Sequence, residues 1–410
     1  MKPHYDVIIV GGRVAGAATG LLLSRLGHRV LIVDRNYPST DTLSTHALMR
    51  TGVLQLQRWG VLPHIIERGT PAIRQMTLGF GAKRIHFDIR AEYGVDALYA
   101  PRRPVLDTVL LDAAIAAGAE FWQGQRMESL TFDPSGLVTG VRLNNGRRQT
   151  TVLACYVVGA DGLRSKVAAA VGAAAYEAHP PANVVTYGYF AGINDKVYVS
   201  QFTPGYSAGF FPTNDGLTCV FTARPVAAGM IGDSAEFQRV VTAASPEMGE
   251  QLYAAEQVGR FYRCAGIPGF LRVPGGRGWA LVGDAGFTKD PLTAHGISDA
   301  FRDAELAAQA IDAVLTGRQN AERAMAGYQA LRDRFAIPLQ RVARDLAYFA
   351  WDAAEASALL RQLGQIVDEE SHFLCQLDSP GAPMRSARPE NGFSPYLNLP
   401  ISGYAAAYQG

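Results

Sequence analysis

The 410 residues exceed what one minimal domain needs, so two or three cooperating units are expected. With 48% hydrophobic and 18% charged residues and a formal net charge of +1, the composition is that of an ordinary globular protein. No Lys/Arg run stands out, which argues against a general nucleic-acid binder. Cys155, Cys219, Cys264 and Cys375 lie far apart with no C-x-x-C spacing, which argues against a disulfide framework or a zinc site. Reduced, mostly buried thiols in a cytoplasmic protein are expected. The N-terminus lacks a basic region leading into an apolar stretch with a cleavage site, and the longest apolar runs are much shorter than a bilayer span. A soluble protein is expected.

In chain order, Tyr5–Val10 is rich in Val and Ile, as expected of a parallel strand buried on both faces. Residues 14–26 carry Ala and Leu at helical spacing, with Gly27 at the C-cap position, and residues 29–34 ("RVLIVD") form a second buried strand. Together they make one β-α-β unit. Residues 76–90 predict a hairpin turning at 81–83, and residues 105–117 an amphipathic helix stopped by Gly118. Short strands around "DPSG" and "NNGRR" follow, ending in "CYVVGADG". Residues 176–274 read as aromatic-rich alternating strands, a second and mainly antiparallel sheet. "WALVGDAG" returns to a buried strand, followed by a long helix over 297–315. The remainder is predicted helical to about 376, interrupted at Pro338, and ends in a Pro/Gly/Tyr-rich tail without an assigned structure.

The strand-turn-helix "VIIVGGRVAG" carries a nucleotide-binding turn with Arg13 where the middle glycine of G-x-G-x-x-G stands. Gly11 allows the tight bend, Gly16 lets the helix pack on the strand, and the helix N-terminus offers N–H groups and a positive dipole end to an anion. Arg13 either adds a guanidinium beside the phosphates or points into solvent. Asp34, 23 positions after Gly11, ends the second strand where a ribose-binding acid sits. The alternative is an α/β corner that binds nothing. Two further stretches decide between them: "CYVVGADGLRSKV", with Asp161–Gly162 and Ser165, and "ALVGDAGFTKDP", with Gly283–Asp284 and Pro291.

A glycine turn near the N-terminus, a D-G motif mid-chain and a G-D motif before the last long helix, in this order, resemble the flavoprotein monooxygenases of the para-hydroxybenzoate hydroxylase fold. The resemblance covers about the first 320 residues. "DTLSTHALMRTGVLQLQRWG", "PRRPVLD" and "HGISDAFRDAE" look like a branch in which an arginine in the glycine turn is familiar. The resemblance implies FAD, with Gly11, Gly12 and Gly16, together with Arg13, Val14 and Ala15, around its pyrophosphate. Asp34 and Arg35 would serve the adenosine, and Arg103 would contact the cofactor. Thr45 and His46 would join the FAD site. Asp161 belongs to the motif associated with FAD and NAD(P)H, and Gly283 and Asp284 would meet the ribityl chain. Pro291, His295, Gly296 and Ile297 would border the flavin. A helix start there also has independent physical sense, because reduced flavin carries negative charge near N1/O2. The loop departs from the common pattern: Ala294-His295-Gly296 replaces a Gly-Gln-Gly-like run.

His46 and His295 are the candidate catalytic residues, since a histidine near neutral titration deprotonates a phenol or hydrogen-bonds an oxygenated flavin. The plainer reading is that each satisfies backbone or FAD atoms. Tyr187, Tyr189, Phe202, Phe210 and Phe211, with Tyr206, are candidates for a substrate wall, although strand spacing makes about half of them ordinary core. Lys289 and Asp290 are either a solvated loop or a functional pair. "GYSAG" (205–209) fits the hydrolase nucleophile motif, but Pro212 and a turn follow it instead of a helix. The eight histidines show no ligand pairing, so no metal is expected.

These readings predict an α/β fold with a Rossmann-like FAD-binding domain, a mixed-sheet substrate domain and a helical C-terminal extension. The boundaries are 1–75, 91–175 and 275–320 for the first, 76–90 and 176–274 for the second, and 321–410 for the third. The resemblance implies an NAD(P)H- and O2-dependent monooxygenase of secondary metabolism that hydroxylates an aromatic or other apolar, electron-rich small molecule through a flavin C4a-hydroperoxide. A reductase of the geranylgeranyl reductase type and a flavin-binding protein without catalysis remain open; a halogenase is disfavoured by the missing W-x-W-x-I-P motif. The expected partners are the small-molecule substrate and O2, without nucleic acid or a membrane span. The C-terminal helices offer a surface for a homodimer.

Overall fold

A computed structural model describes residues 4–36, 40–81 and 83–378. The Pro/Gly/Tyr-rich tail from 379 onward lies outside the described residues. The central sheet runs in the order Trp279–Leu281, Gln149–Gly159, Tyr5–Val10, Val30–Asp34, Glu120–Gln123, with every neighbouring pair parallel. Tyr5–Val10 and Val30–Asp34 at its centre are short apolar runs buried on both faces, as parallel strands between two layers must be. Val7 and Ile9 face the helices Val14–Arg25, Arg103–Ala116 and Gly296–Leu315. Ile8 and Val10 face a meander built from Arg126–Phe132, Val138–Asn144 and the start of Gln149–Gly159. The period of two thus serves two cores from one strand.

Register matters more to function than the layers do. Val10 lies beside Val33 and Gly159, and Gly159 beside Leu281. The carboxyl ends of four strands therefore line up, and the glycine turn, Asp34, the Asp161 motif and the Gly283–Asp284 motif leave the sheet along one edge. This is the edge at which open α/β sheets take their ligands.

The second sheet has seven strands in the order Glu256–Cys264, Asn183–Ala191, Thr218–Pro225, Tyr206–Pro212, Val197–Thr203, Gln75–Phe80, Lys83–Asp88. All neighbours are antiparallel except Val197–Thr203 and Gln75–Phe80, which brings the early hairpin into the later sheet. Alternating strands throughout 176–274 were expected, and this needs correction. The helices Ser234–Ala244 and Pro246–Ala254 interrupt them, with Phe237 and Val241 four apart on the buried face. Asp233 caps the first helix by accepting the Glu236 N–H, a cap signal visible in "DSAE". Ala175–His179 also stands apart, in a small sheet with Gly269–Arg272 and Phe287–Thr288.

Pro338 does not interrupt its helix either. Ala321–Ala347 continues through it for 27 residues. Proline removes one backbone donor, but the carbonyl left without it belongs to Arg334, on the exposed side, while Phe335, Ala336 and Leu339 hold the opposite side in the core. This helix and Ala353–Gln376 cover one face of the second sheet. No helix among the described residues is long and apolar enough to cross a membrane.

Candidate active site

The cradle at the nucleotide end is sterically closed to side chains. Gly11 has φ of +110°, and a Cβ there would collide with the Ala160 carbonyl oxygen; one on Gly16 would strike the Gly11 carbonyl oxygen. Asp34 closes the turn by accepting the Gly12 N–H at 2.7 Å and the Asn36 N–H at 2.9 Å. Arg35 is exposed beside it. Arg13 does not point freely into solvent. It donates to the Asp107 carboxylate at 3.2 Å and to the Thr40 carbonyl and hydroxyl at 3.3 and 3.2 Å.

Asp107 was not singled out in the sequence, yet it organises this end. It is fully buried, and Arg103, four residues earlier on the same helix, grips it through Nε–Oδ1 at 3.0 Å and Nη2–Oδ2 at 3.1 Å. Burial pushes the Asp107 carboxyl up, and the two guanidinium groups pull it back. The i, i+4 spacing in "PRRPVLD" was the readable signal. Asp161 accepts from the Ser165 hydroxyl and from the Lys166 and Val167 N–H groups, so it also fixes the start of Lys166–Ala170.

At the other end, Asp284 opens to solvent between buried Gly283 and Ala285. The protein crowded around it still desolvates the carboxyl and raises its pKa, against the pull of Arg103 and Lys289. Beyond it, the single turn Pro291–Thr293 ends at Ala294, with a left-handed φ of 56°. Helix Gly296–Leu315 then begins without a side-chain cap, at an exposed glycine with open space around it. Val14–Arg25, Arg50–Arg58 and Arg103–Ala116 also start uncapped, whereas the helices beginning at Lys166, Ser234, Pro246, Ala321 and Ala353 all have side-chain caps. Uncapped N–H groups are the ones free to serve a ligand; among the described helices, the short Leu62–Glu67 shares the trait.

His295 is buried, and its Nδ1–H donates to the Thr293 carbonyl. Nε2 therefore bears a lone pair, and it has no partner. Burial, with Lys289 adding to it, pulls the imidazole down to about 3. Ile297 is buried two residues on, and Pro291 is half-buried. Lys289 and Asp290 are not a solvated loop: both are buried. They do not pair with each other. Lys289 binds Asp299, and Asp290 binds Asn183. Asp299 in turn meets Arg302, a fully buried cation that also holds Asp303 and Glu370 at 2.9 Å each. Burial of a charge on this scale requires such pairing.

His46, with a left-handed φ of 47°, sits between the two sheets. Its Nδ1–H donates to the Ala100 carbonyl at 3.1 Å, so Nε2 accepts from the Tyr189 hydroxyl at 2.9 Å. Both ring nitrogens are thus used within the protein, and burial with the nearby Arg102 lowers the ring to about 3. Thr45 is half-buried beside it. Tyr189 and Phe211 pack on His46 and Tyr187 meets Tyr189, while Phe202 lies farther along the same cluster, stacked on Phe80 and against Trp351 of the C-terminal segment. Tyr262, absent from the sequence reading, stacks on Tyr187 at 4.9 Å; only strand register brings the two together. Phe210 does not join the wall. Adjacent strand residues face opposite ways, and Phe210 packs under Phe237 on the other face with Phe190. Arg102 lies over the Tyr189 ring at 3.8 Å and binds Asp41 at 2.7 Å. Ser207 of "GYSAG" is buried mid-strand, opposite Phe202 and Ala223, with no elbow to present it.

A two-layered groove with a glycine cradle at one end and an uncapped helix at the other defines a dinucleotide-binding flavoprotein architecture. Residues 4–247 match the family model described as FAD binding domain, and the chain belongs to that family. It is 24% identical over 355 residues to a tetracenomycin A2 monooxygenase-dioxygenase of Streptomyces glaucescens, covering 77% of this chain and 63% of that protein. It is 26% identical over 321 residues to a digeranylgeranylglycerophospholipid reductase of Methanosarcina mazei, covering 76% and 75%. The fold resembles that of a probable FAD-dependent monooxygenase from Pseudomonas aeruginosa, with a TM-score of 0.71, 23% identity and coverage of 84% and 98%.

The residues present fit FAD. The cradle admits backbone only, an open carboxylate stands mid-groove, and an orphaned buried acceptor waits at the far end.

Proposed function

We propose that this chain is an NAD(P)H-dependent flavin monooxygenase that inserts one oxygen atom of O2 into an aromatic or other apolar, electron-rich small molecule. The observation that carries this reading is the meeting of the unpartnered His295 Nε2 and the uncapped start of Gly296–Leu315 with a buried aromatic cluster, against which Leu292 and Ala294 pack. The name of the tetracenomycin relative supports it. Bound FAD supplies two-electron reduction by NAD(P)H and activation of O2.

The protein's own residues would perform the remaining tasks. Residues 11–16 would cradle the pyrophosphate through backbone N–H groups, with Asp34 and Arg35 at the adenosine and Asp161 close by. The Arg103–Asp107–Arg13 network would hold the cradle rigid, and Asp284 would accept hydrogen bonds mid-groove. The N–H groups of Gly296 and Ile297 would stabilise negative charge at the reduced ring system, and His295 Nε2 would accept one hydrogen bond. Tyr187, Tyr189, Phe202 and Phe211 would exclude water and place the substrate. His46 would position Tyr189 rather than move protons. Segments 1–75, 91–175 and 275–320 would form the cofactor unit, and 76–90 with 176–274 the substrate unit.

The test is purification with FAD, followed by NAD(P)H oxidation across a panel of phenols and polycyclic aromatics under labelled O2. Label in the product supports the monooxygenase. The reductase relative supplies the second reading: turnover of an isoprenoid double bond without oxygen, and no label, would replace the first with it.

A further inference from the structure

The segment that leads from the Gly283–Asp284 motif to helix Gly296–Leu315 is tied to the second sheet by one side-chain pair. Asn183 begins the strand Asn183–Ala191 and is fully buried; its amide donates to Asp290 Oδ1 at 2.8 Å. The same oxygen accepts the Leu292 N–H at 3.1 Å. The other oxygen of each side chain, Asp290 Oδ2 and Asn183 Oδ1, is buried and has no donor. Two acceptors cannot bond each other, and a carboxylate oxygen left bare at 1% exposure is expensive. A proton on Asp290 would neutralise the bare oxygen and make it the donor that Asn183 Oδ1 lacks.

We propose that Asp290 is protonated and donates to Asn183 Oδ1, so that the two side chains form a two-bond acid–amide pair holding the His295–Gly296 loop against the second sheet. Burial favours the same state, raising the Asp290 carboxyl to about 7 against the opposing N–H groups of Leu292 and Asn183 and the charge of Lys289. Of the other titratable groups around it, Lys289 is already engaged by Asp299, His295 is neutral, and Cys264 is a buried thiol whose pKa burial raises. Asp290 is a positioning residue. The pair itself does not depend on the monooxygenase reading; only its consequence for the cofactor loop rests on that reading.

The sign follows from the proton count. The folded state binds this proton more tightly than the unfolded chain, whose carboxyl titrates near 3.8. Stability from the pair is full below about 3.8 and is lost as pH rises from there to about 7, at up to about tenfold in the unfolding equilibrium per pH unit, and it levels off above that.

The test uses the full chain without added flavin, so it stands or falls separately from the catalytic assay. Infrared difference spectra in H2O and D2O are recorded well below and well above pH 7, for the wild type, Asp290→Asn and Asn183→Ala, with urea unfolding at the same pH values. The expected result is a protonated-carboxyl C=O band that titrates near 7 and disappears in Asp290→Asn, which keeps an amide–amide pair and loses the pH dependence. In Asn183→Ala the band shifts because its acceptor is gone. A wild type without the band below pH 7, a band retained in Asp290→Asn, or one unmoved in Asn183→Ala would overturn the proposal. A buried water bridging the two oxygens of an ionised carboxylate predicts the first of these.

Discussion

Arg13 of the glycine turn donates to the carboxylate of Asp107, 94 positions later in the chain, at 3.2 Å. The residue that replaces the middle glycine is thereby built into the scaffold, and the buried acid that receives it is shared with Arg103. Asp107→Ala leaves two cations without their common partner. The expected loss is about 3–5 kcal/mol, as for other broken buried pairs, measured by urea unfolding. FAD retention after gel filtration falls with it. Unchanged stability would show that the network is dispensable.

Asp284 separates binding from folding. Crowding penalises its charge in the flavin-free chain, so Asp284→Ala is expected to leave that chain at least as stable as the wild type. FAD affinity should fall by roughly ten- to a hundredfold, the worth of about 1.5–3 kcal/mol for hydrogen bonding to a charged group. Flavin fluorescence titration reads this directly.

The two buried histidines set an acid limit. His46 and His295 are both held down to about 3 from 6.5, so the folded state binds fewer protons than the unfolded chain between these values. Their contribution to stability is full above 6.5 and is lost as pH falls toward 3. Unfolding midpoints in urea should drop on acidification through this range, and His46→Gln should flatten the slope. Neither ring gains charge near neutrality, so the pH–rate profile should show no limb from them above about pH 5.

Tyr189→Phe removes the hydroxyl that His46 Nε2 accepts and leaves a buried acceptor bare. A loss of about 1–3 kcal/mol is expected, with the ring stack on His46 retained. Thermal unfolding measures it, and no change would mean that His46 finds another donor.

Phe210 and Phe211 distinguish wall from core. Both are almost fully buried, and truncation of either to alanine is expected to cost about 3–5 kcal/mol. Only Phe211→Ala should alter KM or product distribution, because Phe211 packs on His46 while Phe210 lies on the opposite face of the sheet. Equal kinetic effects would remove the aromatic wall from the proposal.

Much of the candidate site around the glycine turn was legible locally. Gly11, Gly16, Asp34, Asp161 and Asp284 announce themselves because each ends a strand or begins a helix, where backbone geometry limits the residue that fits. The wall was legible only in part. Tyr187 and Tyr189 could be named as candidates, but their partner Tyr262 lies on a strand some seventy residues on, and its pairing depends on register. The face chosen for Phe210 depended on which side of the sheet the helices at 234–254 would cover.

The chain by itself determined where nucleotide-binding turns stand and which runs are strands, since those follow from dihedral freedom, capping and short-range apolar spacing. Tertiary structure alone decided which polar and charged groups are buried together. Arg13 with Asp107, Arg302 with Glu370 and Asp290 with Asn183 are pairs between distant segments, and a charged side chain far along the sequence carries no mark of the partner that will desolvate it.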